Sequence, residues 1–347
     1  AGFIGSSLVR QLSKKSENKI INIDKLTYAG NLETISELEK LSNYFFEQAD
    51  ICDETKINDI LKKYKPSNII HLAAESHVDN SIDSPNNFLL TNILGTFNLL
   101  NLSLKYWKEL DDDKKKDFLF QHISTDEVYG SLNKSEKSFT ELTPYAPSSP
   151  YSATKASADH LIRAWGKTYN FPYIITNSSN NYGPYQLPEK LIPLTIIKIL
   201  RNEEIPIYGD GKNVRDWIHV EDHVKALSEF LKIGEHGETY NVGANNERSN
   251  LEVVKLICEI IDTTFPREKK IPSRNSKELI SFVDDRPAHD TRYSLNTAKI
   301  CNKLNWRAQI EFKEGLTNTI KWYLENRKWW IKIIEKNSQV INRKGKN

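Results

Sequence analysis

The chain has 347 residues, and its 48 Lys and Arg against 46 Asp and Glu leave a net charge of +2. Its 7 Trp, 15 Tyr and 13 Phe can fill one large core or two joined ones, and they exclude disorder as a description of the whole chain. The balanced charge argues against nucleic acid as a partner, because a nucleic-acid-binding surface needs a basic excess. Since no apolar run reaches about eighteen residues, we expect no membrane span.

Three cysteines, Cys52, Cys258 and Cys301, are odd in number and far apart in the sequence. They predict neither a disulfide framework nor a zinc site. The eight histidines show no metal-ligand spacing, so no metal is expected. With no leader peptide recognisable, these features favour the reducing cytoplasm.

Predicted strands and helices alternate through the first half of the chain. We predict helices over 6–15, 57–64 and 88–107, strands over 20–24, 68–72 and 118–124, and a solvated loop over 108–117. Such alternation is typical of right-handed βαβ units and predicts an α/β fold with a Rossmann-type, doubly wound parallel sheet.

Proline and glycine recur through the second half of the chain, between shorter predicted helices and strands. This pattern predicts a smaller α/β substrate-binding domain that contributes loops to a cleft. The predicted division is a dinucleotide-binding domain over 1–185 and a mainly substrate-binding domain over 186–330. Some segments of the second domain are expected to return to the first sheet. Residues 331–347 form a basic tail that we expect to fray.

Two glycines open the chain, Gly2 and Gly5, directly before a predicted helix, and Asp24 closes the next strand 19 positions after Gly5. Glycines let a backbone approach a pyrophosphate at a helix N-terminus, and an acid at this distance binds ribose hydroxyls. The acid favours NAD over NADP, because it repels a 2′-phosphate. The chain has no Met, and we expect the first strand and first glycine of the dinucleotide fold to precede Ala1.

Two further motifs carry chemistry. Tyr151 and Lys155 form Tyr-x-x-x-Lys, which on a helix places both on one face, where an ammonium lowers the pKa of a phenol. Thr125, Asp126 and Glu127 directly follow a predicted strand, at the edge where parallel sheets bind ligands. Two adjacent carboxylates there suit a reaction that needs one acid and one base.

Together these motifs resemble the dTDP-glucose 4,6-dehydratase family of the extended short-chain dehydrogenase/reductases, along nearly the whole chain. The strings that carry the resemblance are GFIG at 2–5, DKLTYAGNL at 24–32, HLAAESHVD at 71–79, STDEVYG at 124–130, YSATK at 151–155, SNNYGP at 179–184, PEKLIP at 188–193, YGDG at 208–211, RDW at 215–217 and DRP at 285–287. The chain departs from the family's usual residues at Asn80, His219, Ala288 and Asn305.

The resemblance implies a catalytic set and an NAD cofactor that is regenerated in each cycle. Tyr151 would take the proton of the sugar C4 hydroxyl, Lys155 would activate Tyr151, Thr125 would hydrogen-bond the reacting oxygen, Glu127 would remove the C5 proton and Asp126 would protonate the departing C6 hydroxyl.

The resemblance also implies contact residues. The cofactor contacts are Gly2, Phe3, Ile4, Gly5, Asp24, Lys25, Leu26, Thr27, Asp50, Ile51, Leu72, Ala73, Ala74, Thr91, Tyr151, Lys155 and Asn181. The substrate contacts are Ser76, Thr125, Asn180, Lys190, Leu191, Pro206, Tyr208, Arg215, Asn250, Arg286 and His289. A homodimer is implied as well, through the helix at 88–107 and the helix that begins near Tyr151.

Three alternatives stay open. A nucleotide-sugar 4-epimerase shares the glycines and Tyr-x-x-x-Lys but needs no carboxylate pair, because it expels no water. A dehydratase that takes a UDP-, GDP- or CDP-sugar shares the chemistry. A non-catalytic relative that senses dinucleotides or binds RNA would not need the Tyr/Lys pair.

Overall fold

The computed structural model describes residues 1–15, 17–232, 235–265 and 275–336. Its strands are β1 (Ile20–Asp24), β2 (Tyr44–Gln48), β3 (Asn68–His71), β4 (Leu119–Thr125), β5 (Tyr173–Ser178), β6 (Asn180–Tyr182), β7 (Ile205–Tyr208), β8 (Val214–His219), β9 (Glu238–Val242), β10 (Glu247–Ser249) and β11 (Ile280–Val283). Its α-helices are α1 (Phe3–Ser13), α2 (Glu54–Tyr64), α3 (Val78–Asp83), α4 (Pro85–Phe88), α5 (Thr96–Glu109), α6 (Asp112–Asp117), α7 (Pro150–Tyr169), α8 (Leu191–Arg201), α9 (Val220–Phe230), α10 (Asn250–Thr264), α11 (Ala298–Leu304), α12 (Phe312–Glu325) and α13 (Arg327–Lys336).

The central sheet is parallel and has the order β3-β4-β5-β9. β1 and β2 pair in parallel in a second, two-stranded sheet. Every residue of β4 is buried, as expected of an inner strand of a parallel sheet covered on both faces. Parallel strands alternating with helices give the predicted α/β, Rossmann-type architecture, and within each of these two sheets the carboxyl ends of the strands lie at one edge.

The second half of the chain forms two smaller sheets, β10-β8-β6 and β11-β7, and returns β9 to the central sheet. The largest apolar cluster lies here and joins α8, α10, α12 and α13, with Ile196, Ile257, Leu316, Tyr323 and Trp330 among its buried members. This core also includes Ile205 and Ile207 of β7, and Ile280 of β11 packs against it.

Most predicted elements of the first half are present with shifted ends. The strand over 20–24 matches β1, and the helix over 6–15 begins three residues earlier, at Phe3. The helix over 88–107 extends from Pro85 to Glu109 as α4, a π-helical segment at Leu89–Gly95, and α5.

Two expectations were wrong. The solvated loop over 108–117 contains α6, which has no buried residue but is capped by Asp111, whose carboxylate accepts the Lys114 N–H at 2.9 Å. Residues 331–336, which we expected to fray, complete α13, because Ile333 and Ile334 are buried on its inner face. Residues 337–347 of the predicted tail lie outside the described residues.

Candidate active site

The carboxyl end of β4 places the predicted acid pair. Thr125 is the last residue of β4, and its hydroxyl accepts the Glu127 N–H at 3.3 Å, which starts a 3-10 turn over Asp126–Tyr129. The turn directs Asp126 into the protein, where it is 2 % exposed, and leaves Glu127 partly exposed. A strand that ends in a capped turn therefore presents two neighbouring carboxylates in different surroundings.

Both carboxyl groups hold protons more tightly than usual. Burial, and then the charge of Glu127, raises the pKa of Asp126 well above its ordinary value. Burial also raises the pKa of Glu127, although the charges of Arg286 and Arg215 oppose the shift. The charge of Arg215 opposes the rise in pKa at both carboxyl groups, and Arg286 acts on Glu127 as well. The more deeply buried Asp126 is therefore suited to donate a proton and Glu127 to accept one.

Helix α7 carries the Tyr-x-x-x-Lys pair and begins at a well-defined cap. Ser149 and Ser152 form a capping box, and Pro150 occupies the first turn. Tyr151 and Lys155 are both buried, on the helix face that meets β4. Tyr151 hydrogen-bonds to Thr125, and the charges of Asp126 and Glu127 act on its hydroxyl group. The structure therefore brings these four of the five predicted catalytic residues together.

The Lys155 ammonium is held by groups of β4, and its activation of Tyr151 stays a prediction. Lys155 donates to the Ile123 carbonyl oxygen at 2.8 Å and lies 3.2 Å from His122 Nε2. Burial, and then the charge of Glu127, raises the pKa of Tyr151. Burial lowers the pKa of Lys155 to about 8.

The first turn of α1 fits a dinucleotide pyrophosphate. Gly2 is its N-cap, no side chain caps the helix, and the first turn holds no acidic residue. A Cβ atom at Gly5 would meet nothing within 4 Å, so this side of the turn is open. Phe3 and Ile4 complete the turn, whose N–H groups have no acceptor within the helix.

The ends of β1 and β2 supply the next predicted cofactor contacts. Asp24 ends β1, and its Oδ1 accepts the Leu26 N–H at 2.7 Å. Lys25 pairs with Asp50 at 2.9 Å, joining the loops that follow the two strands. Thr27 lies in the same loop as Leu26, and Ile51 follows Asp50. An acceptor fixed at the end of a strand next to a helix N-terminus fits the ribose end of NAD.

The remaining predicted cofactor contacts lie on three other elements. Leu72, Ala73 and Ala74 follow β3, and Thr91 lies in the π-helical segment. Asn181 lies in β6, where its Oδ1 is 2.8 Å from His223 Nδ1. The residues present therefore fit NAD along its length, from the pyrophosphate turn to Tyr151.

Two arginines line the other side of the cleft. Arg215 is buried in β8, and its guanidinium stacks over Tyr293 at 4.1 Å and donates to the Asp290 carbonyl oxygen at 2.9 Å. Arg286, in the loop after β11, pairs with Asp79 at 3.1 Å. Since both guanidinium charges act on Glu127, they lie at the acid pair, where they can bind a diphosphate.

The loops of the smaller sheets carry most other predicted substrate contacts. Tyr208 ends β7, and its ring lies 6.2 Å from that of His289, which in turn lies 2.6 Å from Asp285. Lys190 caps α8 and donates to the Ser76 carbonyl oxygen at 3.3 Å. The others are placed at the first residue of α8, in β6, in β7 and at the first residue of α10: Leu191, Asn180, Pro206 and Asn250.

Two departures from the family pattern have a structural cost. Ala288 and Asn305 stand where glycine is usual, and both adopt left-handed backbone, with φ of 52° and 49°. Asparagine tolerates this region better than alanine. Ala288 thus holds the loop between Arg286 and His289 in a strained conformation.

Sequence reasoning assigned no role to Asp79, His122 or Asp159, which contact predicted site residues. Asp79 lies in a string that carried the resemblance, and Asp159 continues the spacing of Tyr151 and Lys155 by one further turn, which is the signal that could have found it. Within the described ranges, no group of His, Cys, Asp and Glu is arranged to hold a metal ion.

A family model described as GDP-mannose 4,6 dehydratase matches residues 1–319. The dTDP-glucose 4,6-dehydratase of Neisseria meningitidis serogroup B is 51% identical over 334 residues, which cover 96% of this chain and 94% of that protein. The chain belongs to the dTDP-glucose 4,6-dehydratase family.

Solved structures of dTDP-glucose 4,6-dehydratases agree with this membership. That from Bacillus anthracis, in complex with NAD, is 42% identical with a TM-score of 0.83, and that from Streptomyces venezuelae, with NAD bound, is 38% identical with a TM-score of 0.85. Each comparison covers 96% of this chain and 97% of the other.

None of the helices that the structure describes has the length and hydrophobicity to cross a membrane.

Proposed function

We propose that this chain is an NAD-dependent hydro-lyase that converts dTDP-glucose to dTDP-4-keto-6-deoxyglucose and water, a step of deoxysugar synthesis of the dTDP-rhamnose type. The observation that carries the proposal is the pair Asp126 and Glu127, held beside Tyr151 at the carboxyl end of β4. An epimerase only oxidises and reduces C4, so its reaction has no step that requires two carboxyl groups. Two carboxyl groups with raised pKa values suit the loss of water from C5 and C6.

In this proposal Tyr151 accepts the proton of the C4 hydroxyl, which Thr125 orients. Lys155 would hold the nicotinamide ribose, and NAD, when bound, would supply the acceptor of the C4 hydride and the source of the hydride for C6. Glu127 removes the C5 proton that the C4 ketone has made acidic, Asp126 protonates the departing C6 oxygen, and Glu127 finally returns a proton to C5.

The substrate's two ends are recognised by different chemistry. Arg215 and Arg286 offer planar donors to the diphosphate, and Tyr208 offers a ring face to thymine. The division into a cofactor-binding part over 1–185 and a substrate-binding part over 186–330 belongs to the same proposal.

The test of function is to mix the protein with dTDP-glucose and to follow the alkali-induced ultraviolet absorbance of a 4-keto sugar. We expect signal with dTDP-glucose and much less with UDP-, GDP- or CDP-sugars. Signal only with another nucleotide sugar would overturn the substrate assignment. A 4-epimer formed without a 4-keto product would favour the epimerase instead.

We also propose a homodimer, formed through the π-helical segment, α5 and α7. Leu89, Leu90, Leu94 and Phe97 are between 41% and 53% exposed, although they are large and apolar. Phe97 contacts Trp165 of α7 edge-on at 5.8 Å, which joins the two helices into one face. An apolar face of this kind is typical of a dimer interface.

A cytoplasmic location is part of the proposal. It is supported by the three cysteines, all of which are free thiols, as expected of a protein in a reducing compartment.

A further inference from the structure

A buried polar cluster lies behind Lys155, on the side away from the cleft. Asp159 and His122 are both 0 % exposed, and Asp159 Oδ1 lies 3.3 Å from His122 Nε2. The other oxygen of Asp159 accepts the Ser124 hydroxyl at 2.9 Å and the Tyr145 hydroxyl at 2.8 Å. Burying a carboxylate is costly unless it is paired, so a fully buried, ionised Asp159 requires a positive or hydrogen-bonding partner.

Helix α7 places Asp159 on the same face as the predicted catalytic pair, Tyr151 and Lys155. Tyr151, Lys155 and Asp159 are spaced at i, i+4 and i+8, and therefore lie on one face of α7. Lys155 Nζ lies 3.2 Å from the same His122 Nε2 that faces Asp159. The imidazole is thus the group that links the carboxylate to the ammonium.

Only one of the two contacts at His122 Nε2 can be a hydrogen bond at a time. A neutral imidazole nitrogen either accepts from an ammonium or donates to a carboxylate. Burial, and then the charge of Lys155, lowers the pKa of His122 to about 4, so the ring is neutral near pH 7. While Lys155 is charged, its ammonium donates a hydrogen bond to Nε2, and the Asp159 carboxylate, which also lies near Nε2, acts on that ammonium by its charge.

We propose that Asp159 is the counter-ion of Lys155 and that His122, which contacts both, positions the ammonium. This inference rests on the proposed function, in which Lys155 holds the nicotinamide ribose and must keep its charge and its place. Burial alone would raise the pKa of Asp159, but the contact with His122 and the charge of Lys155 help to hold it below its usual value, so the carboxylate is ionised.

Asp159 is the charge that keeps Lys155 protonated. Burial lowers the pKa of Lys155 to about 8, and the Asp159 carboxylate opposes that shift. The other titratable groups near Lys155 are His122 on β4, His71 on β3, Tyr145 on the loop before α7, Tyr151 and Arg163 on α7, and Asp126 and Glu127 in the turn after β4. Asp159 is the carboxylate whose charge acts on Lys155.

The test compares Asp159→Asn with the intact chain in two measurements. The first is the titration of the Lys155 side chain by NMR of labelled lysine, with the signal assigned by its loss in Lys155→Gln. The second is the alkaline limb of the pH profile of kcat for 4-keto sugar formation. Because the opposing charge is lost, we expect both to move to lower pH by about 1 to 3 units.

Asp222→Asn is the matched control. Asp222 is also a buried aspartate, 1 % exposed, but its carboxylate accepts the N–H groups of Gln309 and Ile310 at 2.8 and 2.7 Å, away from the cleft. Its loss should lower stability and leave both titrations unchanged. If Asp159→Asn leaves both at their original pH, or if the control moves them equally, the inference is wrong.

A second variant applies if Asp159→Asn does not fold. His122→Gln removes the linking imidazole, and we expect kcat to fall about tenfold or more while the KM for dTDP-glucose is unchanged, because no substrate contact is lost. An unchanged kcat would contradict the proposed link. An intact chain that makes no 4-keto product overturns the proposed function instead, whereas the NMR titration tests Asp159 without any turnover.

Discussion

Asp126 and Glu127 are adjacent in sequence but differ in surroundings, and the difference defines their roles. Asp126 Oδ2 is buried and has no hydrogen-bond partner among the described residues, while Glu127 is partly exposed and faces the charges of Arg286 and Arg215. The 3-10 turn that begins after Thr125 directs Asp126 inward and leaves Glu127 partly exposed. The pair can thus act as acid and base without sharing one proton.

The first prediction concerns these two residues. Asp126→Asn with Glu127→Gln should leave oxidation at C4 possible but slow the loss of water by about 10²- to 10⁴-fold, because proton donor and acceptor are both gone. Stopped-flow absorbance of reduced nicotinamide should then rise and persist after dTDP-glucose is added, and 4-keto-6-deoxy product should form slowly. Water loss at the original rate would refute the assigned roles.

Lys155 shows that the spacing of a motif does not determine every contact of its side chains. The spacing of Tyr151 and Lys155 is correct, yet the ammonium contacts β4 and not the phenol. The spacing of a motif predicts which side chains share a helix face, but neighbouring strands decide which of them touch. The partner here is His122, in a strand 33 positions earlier.

Among the elements, the segment from Pro85 to Glu109 is the one whose form was least predictable. Its middle, Leu89–Gly95, is π-helical, and a Cβ atom at Gly95 would lie 2.6 Å from Ile51 Cδ1. The small residue therefore permits the close approach of this helix to the loop after β2. A π-helical turn also changes which residues face outward, and here Leu90 and Leu94 do so.

The second prediction follows from that exposed face. Leu94→Glu places a charge in the proposed dimer interface, so we expect the protein to become monomeric at micromolar concentration, measured by light scattering after gel filtration. Leu142→Glu is the matched control, since Leu142 is 93% exposed and lies outside the segment. Light scattering that shows a monomer for the intact chain, or a dimer for Leu94→Glu, would contradict the proposed interface.

At the scale of the whole molecule, one ion pair joins the two halves of the cleft. Asp79 lies in α3, beside the central sheet, and pairs with Arg286 in the loop after β11; the Tyr208 hydroxyl also lies 3.4 Å from Asp79. The groups proposed to hold the diphosphate and the base are therefore both fixed by one carboxylate from the opposite half. A bound diphosphate would compete with Asp79 for Arg286.

The third prediction tests Arg286 through ligand-induced stability. Excess dTDP at about 100 times its Kd should stabilise the intact protein by about 2.7 kcal/mol. Arg286→Met should weaken dTDP binding about tenfold to a hundredfold, because charge-assisted hydrogen bonds are lost, and so reduce the rise in Tm on adding dTDP. Arg201→Met, which removes an exposed pairing with Glu203 outside the cleft, should leave that rise unchanged, and an equal loss in both variants would disprove the assignment.

By itself the sequence determined the class of fold, the family and the catalytic motifs, because these depend on local periodicity and on residue types at short spacing. The strand over 20–24, the acids after β4 and the pair on α7 are all of this kind. Tertiary structure alone decided which charges meet. Arg286 and Asp79 are 207 positions apart, and His122 and Asp159 meet only because α7 packs on β4. The extent of α13 was also decided by packing. Ile333 and Ile334 are buried in the large apolar cluster of the second half, and that contact cannot be predicted from the local sequence.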